Sequence, residues 1–359
     1  MTHNAAPIRR VAFSHTPLKF LIAAAATALL LAIISCSDAA LGPNQHLTPA
    51  PFGGSPTAPA RDATRGATEP EEQAQAPPDL PGGRIAFSRQ IDGNDEIFVM
   101  DSDGRSEVRL TDDSARDLEP EWSPDGTKIA FSSNRDANFD IYIMDDEGQN
   151  LQRITNDPAQ DSVPKWSPDG TRLAFFSTRL PTFLWVMDAN GGNQRPVLQL
   201  ATESPFCGGG GFPGGWSPDS QQVTFFIAKP VGSGETLGQI CTVHIDGSRV
   251  KVQANDPPNF DVESIWSHDG TQVAFRSARD DDNSEVYIMA ADGSNQTRLT
   301  SHPGTDSEPS FSADDRWLVF HSSRNATDFE LYVIRIDGTG LFRLTHNPAN
   351  DNTPTWSPR

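Results

Sequence analysis

One apolar triplet returns six times along the chain: Ile85-Ala86-Phe87, Ile129-Ala130-Phe131, Leu173-Ala174-Phe175, Val223-Thr224-Phe225, Val273-Ala274-Phe275 and Leu318-Val319-Phe320. Its phenylalanines lie 44, 44, 50, 50 and 45 residues apart. A unit of that length is one supersecondary element and cannot bury its apolar face alone, so it must stack on copies of itself. Periods in this range, punctuated by Asp/Gly turns, select a propeller with one four-stranded sheet per blade.

Each unit reads as four strands. A Trp-Ser element comes first, at Trp122, Trp166, Trp216 and Trp266, with Phe311 in its place in the next unit. The turn that follows is Pro124-Asp125-Gly126, Pro168-Asp169-Gly170 or the variant His268-Asp269-Gly270. There Pro presets φ and Gly accepts a positive one. The triplet is the second strand. Alternating segments such as Asp140-Ile141-Tyr142-Ile143-Met144 and Glu330-Leu331-Tyr332-Val333-Ile334 form the third. An Asp-Gly turn then leads to a short fourth strand, Arg109-Leu110-Thr111, Arg298-Leu299-Thr300 or Arg343-Leu344-Thr345.

The blade number follows from the ends of the repeat. The first unit starts at Arg84 on its second strand, and the chain ends on Thr355-Trp356-Ser357-Pro358-Arg359, a Trp-Ser strand with no blade after it. The C-terminal strand is expected to complete the first blade, which closes six blades into a ring and removes the free sheet edge. The expected fold is all-β, a six-bladed propeller over residues 83–359.

The pattern Asp-x-x-Pro-x-Trp-Ser-Pro-Asp-Gly-x-x-Ile-Ala-Phe, followed by Arg, Ile-Tyr and Leu-Thr, resembles the TolB-type propeller repeat. The resemblance runs from about Arg84 to Arg359. It implies a six-bladed interaction platform in the cell envelope, where the family's propeller docks a peptidoglycan-associated lipoprotein. The separate N-terminal α/β domain of that family has no counterpart in this sequence.

A charge pair also recurs. Asp117, Asp161, Asp261 and Asp306 precede the Trp-Ser strand, and Arg135, Arg179, Arg279 and Arg324 follow 18 residues later. Each interval is centred on the Gly of the hairpin turn, which places Asp and Arg as cross-strand neighbours. Asp351 and Arg89 are expected to form the same pair through the closing strand. An acidic mouth that binds cations is the functional reading of these residues. Structural ion pairs are the stronger one, because an Arg-paired carboxylate is largely neutralised.

One unit breaks the pattern. Where the Asp belongs it reads Cys207-Gly208-Gly209-Gly210-Gly211-Phe212-Pro213, and where the Arg belongs, Ala228-Lys229-Pro230. The Gly run is not a phosphate loop, since no Gly-Lys-Ser/Thr follows. Phe206, Phe212 and Lys229 are the candidate contacts for a partner or ligand. Cys207 and Cys241 are a possible disulfide in an exported protein; two separate thiols are the alternative.

Residues 1–35 read as a lipoprotein signal peptide. Arg9, Arg10 and Lys19 form a basic start, residues 20–34 an apolar run too short to span a bilayer, and Ile33-Ile34-Ser35-Cys36 resembles the lipobox. Cys36 is then the expected lipidation site, and Ser37 after it favours the outer membrane, facing the periplasm. An ordinary cleaved signal with an incidental Cys is the other reading. Residues 36–82 are rich in Pro and Ala and have few large apolar side chains, as a disordered tether would.

Composition trims the functions. The chain has 28 Lys+Arg against 48 Asp+Glu, a net charge of −20. Cleavage before Cys36 would leave 25 basic residues against 48 acidic ones. Nucleic acid needs a basic footprint and is not an expected partner. No nucleophile elbow, His-Glu-x-x-His helix or P-loop is present. Asp101-Ser102-Asp103-Gly104 opens like a calcium loop but has no Glu at the twelfth position. No catalytic residue, metal or cofactor is therefore expected. The reading is an envelope lipoprotein, attached through its N-terminal lipid, that binds a protein partner or ligand. The alternative is a propeller enzyme acting on polysaccharide or peptide in the central funnel.

Overall fold

A computed structural model of the protein describes residues 75–179, 183–197, 211–230, 236–253, 260–280, 283–325 and 328–358. The signal segment, Cys36 and most of the expected tether lie outside the described residues. All the described residues fall within one compact unit, Ala58–Arg359.

Among the described residues, twenty-four strands form six four-stranded antiparallel sheets. Blade 1 holds β1 (Arg84–Ile91), β2 (Asn94–Asp101) and β3 (Val108–Arg109). Blade 2 holds β4 (Asp117–Trp122), β5 (Lys128–Ser133), β6 (Asp140–Asp145) and β7 (Gln152–Arg153). Blade 3 holds β8 (Asp161–Trp166), β9 (Arg172–Ser177), β10 (Leu184–Asp188) and β11 (Arg195–Pro196). Blade 4 holds β12 (Phe212–Trp216), β13 (Gln222–Pro230), β14 (Thr236–His244) and β15 (Lys251–Val252). Blade 5 holds β16 (Asp261–Trp266), β17 (Gln272–Ser277), β18 (Glu285–Ala290) and β19 (Thr297–Arg298). Blade 6 holds β20 (Asp306–Phe311), β21 (Trp317–Ser322), β22 (Glu330–Arg335) and β23 (Phe342–Arg343). The last strand, β24 (Asp351–Trp356), pairs with β1 and closes the ring.

The repeated triplet explains how blades stack. A middle strand sandwiched between two neighbouring sheets is buried on both faces, so it reads as a continuous apolar run instead of alternating. Phe87, Phe131, Phe175, Phe225, Phe275 and Phe320 are all fully buried. Each core cluster bridges two blades: Ala86, Ile97 and Val99 of blade 1 pack on Trp122, Ile129 and Phe131 of blade 2. Ile85 and Phe87 pack on Trp317, Val319 and Trp356 across the closure. Each such large side chain contributes roughly 1.5–3 kcal/mol by leaving water, so the interfaces between blades carry the fold.

The Ser-Pro-Asp-Gly turn has a hydrogen-bond rationale. Ser123 Oγ donates to Asp125 Oδ1 at 2.7 Å, and the same carboxylate oxygen accepts from Thr127 N at 3.1 Å. Gly126 sits at φ +66°, and its N–H reaches Ser123 O at 2.8 Å. Ser167–Asp169, Ser217–Asp219, Ser267–Asp269 and Ser312–Asp314 repeat the contact.

Every inner strand carries a β-bulge. Pairing in blade 2 runs Asp117↔Ser133 and Leu118↔Ser132, then resumes one residue out of step at Glu121↔Ala130. Glu119, Val163, Glu263, Glu308 and Thr353 occupy the bulge at φ between +50° and +58°. Blade 4 takes its register shift between Pro213 and Trp216, across Gly214 and Gly215.

Candidate functional site

The inner strands surround a central channel with two different ends. At the end where these strands begin, each Asp meets its Arg. Arg135 is 2.8 Å from Asp117, Arg279 2.8 Å from Asp261 and Arg324 2.6 Å from Asp306, and Arg179 contacts Asp161. Arg89 Nε lies 2.6 Å from Asp351 Oδ1. Each guanidinium also covers two aromatic rings of its blade: Arg135 lies 5.5 Å from the Phe131 centroid and 4.9 Å from that of Tyr142.

The register differs from the expected direct opposition. The residue across from Asp117 is Ser133, and Arg135 lies beyond the strand end: the ladder at Trp122↔Ile129 is centred half a residue before Gly126, and the bulge consumes one further position. The arginine turns back, with its Nε donating to Ser133 Oγ at 2.8 Å. The closing pair is built differently from the other four. Arg89 sits directly opposite Asp351, in the place that Ser133 holds in blade 2. Strand β1 runs straight into the two-residue Asp92-Gly93 turn, both at positive φ, so it has no loop from which an arginine could fold back.

A second set of acids belongs to the same joints. Asp140, Glu285 and Glu330 open the third strands of their blades, Glu96 lies two residues into β2, and the four pair with Arg153, Arg298, Arg343 and Arg109 at 2.6–2.8 Å. A threonine links the sets between blades. Thr111 Oγ1 donates to Glu96 Oε2 at 2.7 Å, accepts from Ile97 N at 2.9 Å and faces Asp117 of the next blade. Thr155, Thr300 and Thr345 repeat that reach to Asp161, Asp306 and Asp351. Sequence reasoning missed this set. Its signal was present, an acid 13 residues before an Arg and 15 before a Thr in four of the units.

Burial pushes the carboxyls of Asp117, Asp161, Asp306 and Asp351 up, against the opposing pull of their Arg and hydroxyl partners. Each of these acids is committed to an Arg of its own blade.

The joint between blades 3 and 4 is built from rings. Phe183 stands where blade 2 has Asp140, as its carbonyl partner Ser177 N shows, and Gly211 precedes β12 where the others have Asp. Phe183 stacks on Phe176 at 5.6 Å between centroids, Phe176 on Phe212 at 4.4 Å, and Phe212 on Phe226 at 5.3 Å. Phe212, a candidate contact, is thus half-buried within a four-ring stack. Beside the stack, β13 and β14 pair over nine residues, from Gln222↔His244 to Pro230↔Thr236, against six in blade 2. The added pairs, Ala228↔Gly238 to Pro230↔Thr236, lengthen the hairpin at the ion-pair end; β1 and β2 of blade 1 pair over eight residues. Lys229 lies on the blade 4 hairpin, backbone-paired with Leu237. Phe206 and Cys207 lie outside the described residues. Cys241 is disulfide-bonded and buried on β14, between Phe225 and Val252.

Inside the channel the bulges interlock the blades. Glu119 Oε2 accepts from Val163 N of the next blade at 2.8 Å, and Glu308 Oε2 accepts from Thr353 N at 2.9 Å. Glu263 pairs with Arg276 at 3.1 Å, and Glu308 lies 3.2 Å from His321 Nδ1. Burial pushes the Glu119 and Glu263 carboxyls up, whereas His321 and its neighbours hold Glu308 below the usual range against its own burial. Among the described residues, no group of three or more His, Cys, Asp or Glu is disposed to hold a metal ion.

Comparison with known proteins supports the same architecture. Residues 76–199 match the Tricorn protease N-terminal beta propeller domain, and residues 184–328 match the TolB beta propeller domain. TolB from Acinetobacter baumannii is 21% identical with a TM-score of 0.66, covering 79% of this chain and 68% of that one. The putative TolB from Agrobacterium tumefaciens is 18% identical with a TM-score of 0.56, covering 74% and 89%. Kuenenia stuttgartiensis hydrazine synthase is 15% identical with a TM-score of 0.61, covering 78% of this chain and 48% of that one. At such identities the likeness to solved structures is one of fold. No curated protein sequence matches.

Proposed function

We propose that this six-bladed propeller, whose residues 184–328 match the TolB beta propeller domain, is an exported envelope lipoprotein that binds a protein partner through blade 4. One observation carries the choice of blade. The blade 3–blade 4 joint carries an aromatic stack where the blades that begin at Asp117, Asp161, Asp306 and Asp351 carry a buried carboxylate paired with an Arg of the same blade, and its β13–β14 hairpin pairs over nine residues. Aromatic side chains supply large contact area at low conformational cost, and an extended hairpin offers backbone groups to a partner. Cys36 would carry the lipid, and residues 37–74 would set the propeller off from the membrane.

The test is cross-linking and co-purification from envelope fractions, using the full chain and a version in which residues 229–237 are replaced by a two-residue Asn-Gly turn. The partner should be lost with the hairpin while the melting transition is retained. Recovery of the same partner by both proteins would sink the blade 4 assignment. Cys36→Ser should abolish incorporation of labelled palmitate and release the protein from membranes; unchanged labelling would remove the anchor.

A further inference from the structure

The channel's other end opens among the Ser-Pro-Asp-Gly turns. A cavity of about 310 Å³ lies there, lined from all six inner strands. Two of its layers follow the repeat. One is the aromatic that ends each inner strand, as at Trp122 and Phe311; the other is the residue two places later, mostly Pro, as at Pro124. The residue before each aromatic also lines the cavity and does not repeat: Glu121, Lys165, Gly215, Ile265, Ser310 and Thr355. Packing accounts for Gly215, where a Cβ would lie 2.8 Å from Trp266 N. The other five positions give an otherwise regular ring its individual chemistry.

The sign of the charge selects the occupant. Lys165 Nζ lies 2.9 Å from Glu121 Oε2. Burial opposes its ammonium form, yet Glu121, with Glu308 and Glu119 behind it, holds its pKa above the ordinary lysine value. Glu119 makes its protein contacts through Oε2 alone, to Ser132 Oγ and Val163 N, and Glu308 likewise through Oε2, to Thr353 N and His321. Their Oε1 atoms have no partner among the described residues. The channel behind the mouth therefore sets four carboxylates, Glu119, Glu121, Glu263 and Glu308, against two permanent cations, Lys165 and Arg276, with His321 as the remaining titratable group. All four glutamates are half-buried, and a surplus of carboxylate in such a setting favours a cation. Lys165 shows the form that fits, an ammonium on a stem that lies along apolar walls.

We propose that this mouth takes a lysine side chain presented by a basic, extended protein segment. The ammonium reaches Glu119 and Glu308, and the alkyl stem lies against the Trp and Pro wall. This contact is at the end of the channel away from the blade 4 hairpin and does not depend on it.

The test uses the full chain with a pentalysine peptide and, separately, spermidine, read by tryptophan fluorescence and calorimetry at about 50 mM salt, where electrostatic attraction is weakly screened. Pentalysine should bind saturably. Glu119→Gln with Glu308→Gln keeps the amide acceptors and should weaken binding at least tenfold; Glu121→Lys should abolish it. Asp292→Asn with Asp337→Asn removes the same charge from exposed turns on the same face and should leave affinity within twofold. The proposal is overturned if the turn pair weakens binding as much as the channel pair, if Glu121→Lys still binds, or if no saturable binding occurs. Tighter binding of spermidine with the same variant profile would likewise overturn it, in favour of a free polyamine.

Discussion

At the scale of single residues, the aspartates fall into two populations with opposite electrostatics. Asp117 is wholly buried, and desolvation raises its pKa despite Ser133 and Arg135. Asp169 in the turn is lowered to about 2, where hydrogen bonds from Ser167 and Thr171 overcome its partial burial. The two should respond to pH with opposite sign. A carboxyl raised in the folded state contributes stability that is present at low pH and lost as pH rises through its folded value; a depressed one contributes stability present above about 4 and lost as pH falls toward 2. Chemical denaturation between pH 2.5 and 7 should show the deficit of Asp117→Asn shrinking as pH rises and that of Asp169→Ala shrinking as pH falls. Parallel profiles would refute the assignment. Removing one partner of a buried pair strands the other charge, at a cost of about 3–5 kcal/mol. Asp117→Ala and Arg135→Ala should therefore lose much less together than the sum of their single losses. A double-mutant cycle additive to within about 0.5 kcal/mol would show that the two do not act as a pair.

At the scale of the strand, the bulge separates what was legible in the sequence from what was not. The triplet and the Ser-Pro-Asp-Gly turn could be read because each is a local solution repeated at a fixed period. The Asp–Arg partnership could also be read, but not its geometry. Counting outward from the turn assumes an unbroken ladder, and Glu119-Pro120 inserts an unpaired position that moves the Asp opposite Ser133. The aromatic joint was hidden for another reason: Phe176 on β9, Phe183 just before β10 and Phe212 on β12 come from two blades, and no sequence interval aligns them. The bulge also stores strain at two β-branched residues, Val163 at φ +53° and Thr353 at φ +50°. The left-handed region costs a non-glycine residue about 1–2 kcal/mol. Val163 is only half-buried, so Val163→Gly should recover part of that and raise stability by up to about 1 kcal/mol in urea unfolding. A loss of stability would mean that the Val163 side chain contributes more by packing than its backbone costs.

At the scale of the whole molecule, the ring depends on one non-local joint. Every other inner strand follows its neighbours in the chain, but β24 reaches β1 across the full length of the repeat. Three kinds of contact converge there. Trp356 fills the cluster between blades 6 and 1, Asp351 neutralises the buried Arg89, and Ser357 Oγ accepts from Arg84 N at 2.8 Å. The segment before β1 adds a strap: Leu80 packs against the same cluster, and Asp79 pairs with Arg335, which lies 4.4 Å over Trp317. Removing residues 347–359 would strip blade 1 of its inner strand, expose the edge of β1 and leave Arg89 buried without Asp351. Joining the same residues in front of Arg84 as a local hairpin would restore these contacts while converting the closure into an ordinary blade. The deletion should lose the single cooperative melting transition and aggregate. The rearranged chain should melt as one unit at or above the temperature of the original, because loop-closure entropy no longer opposes β24. If the rearranged chain melted in two steps, the joint would depend on the strap before β1 and not on the strand, and Asp79→Ala in the original chain would then reproduce the same two steps.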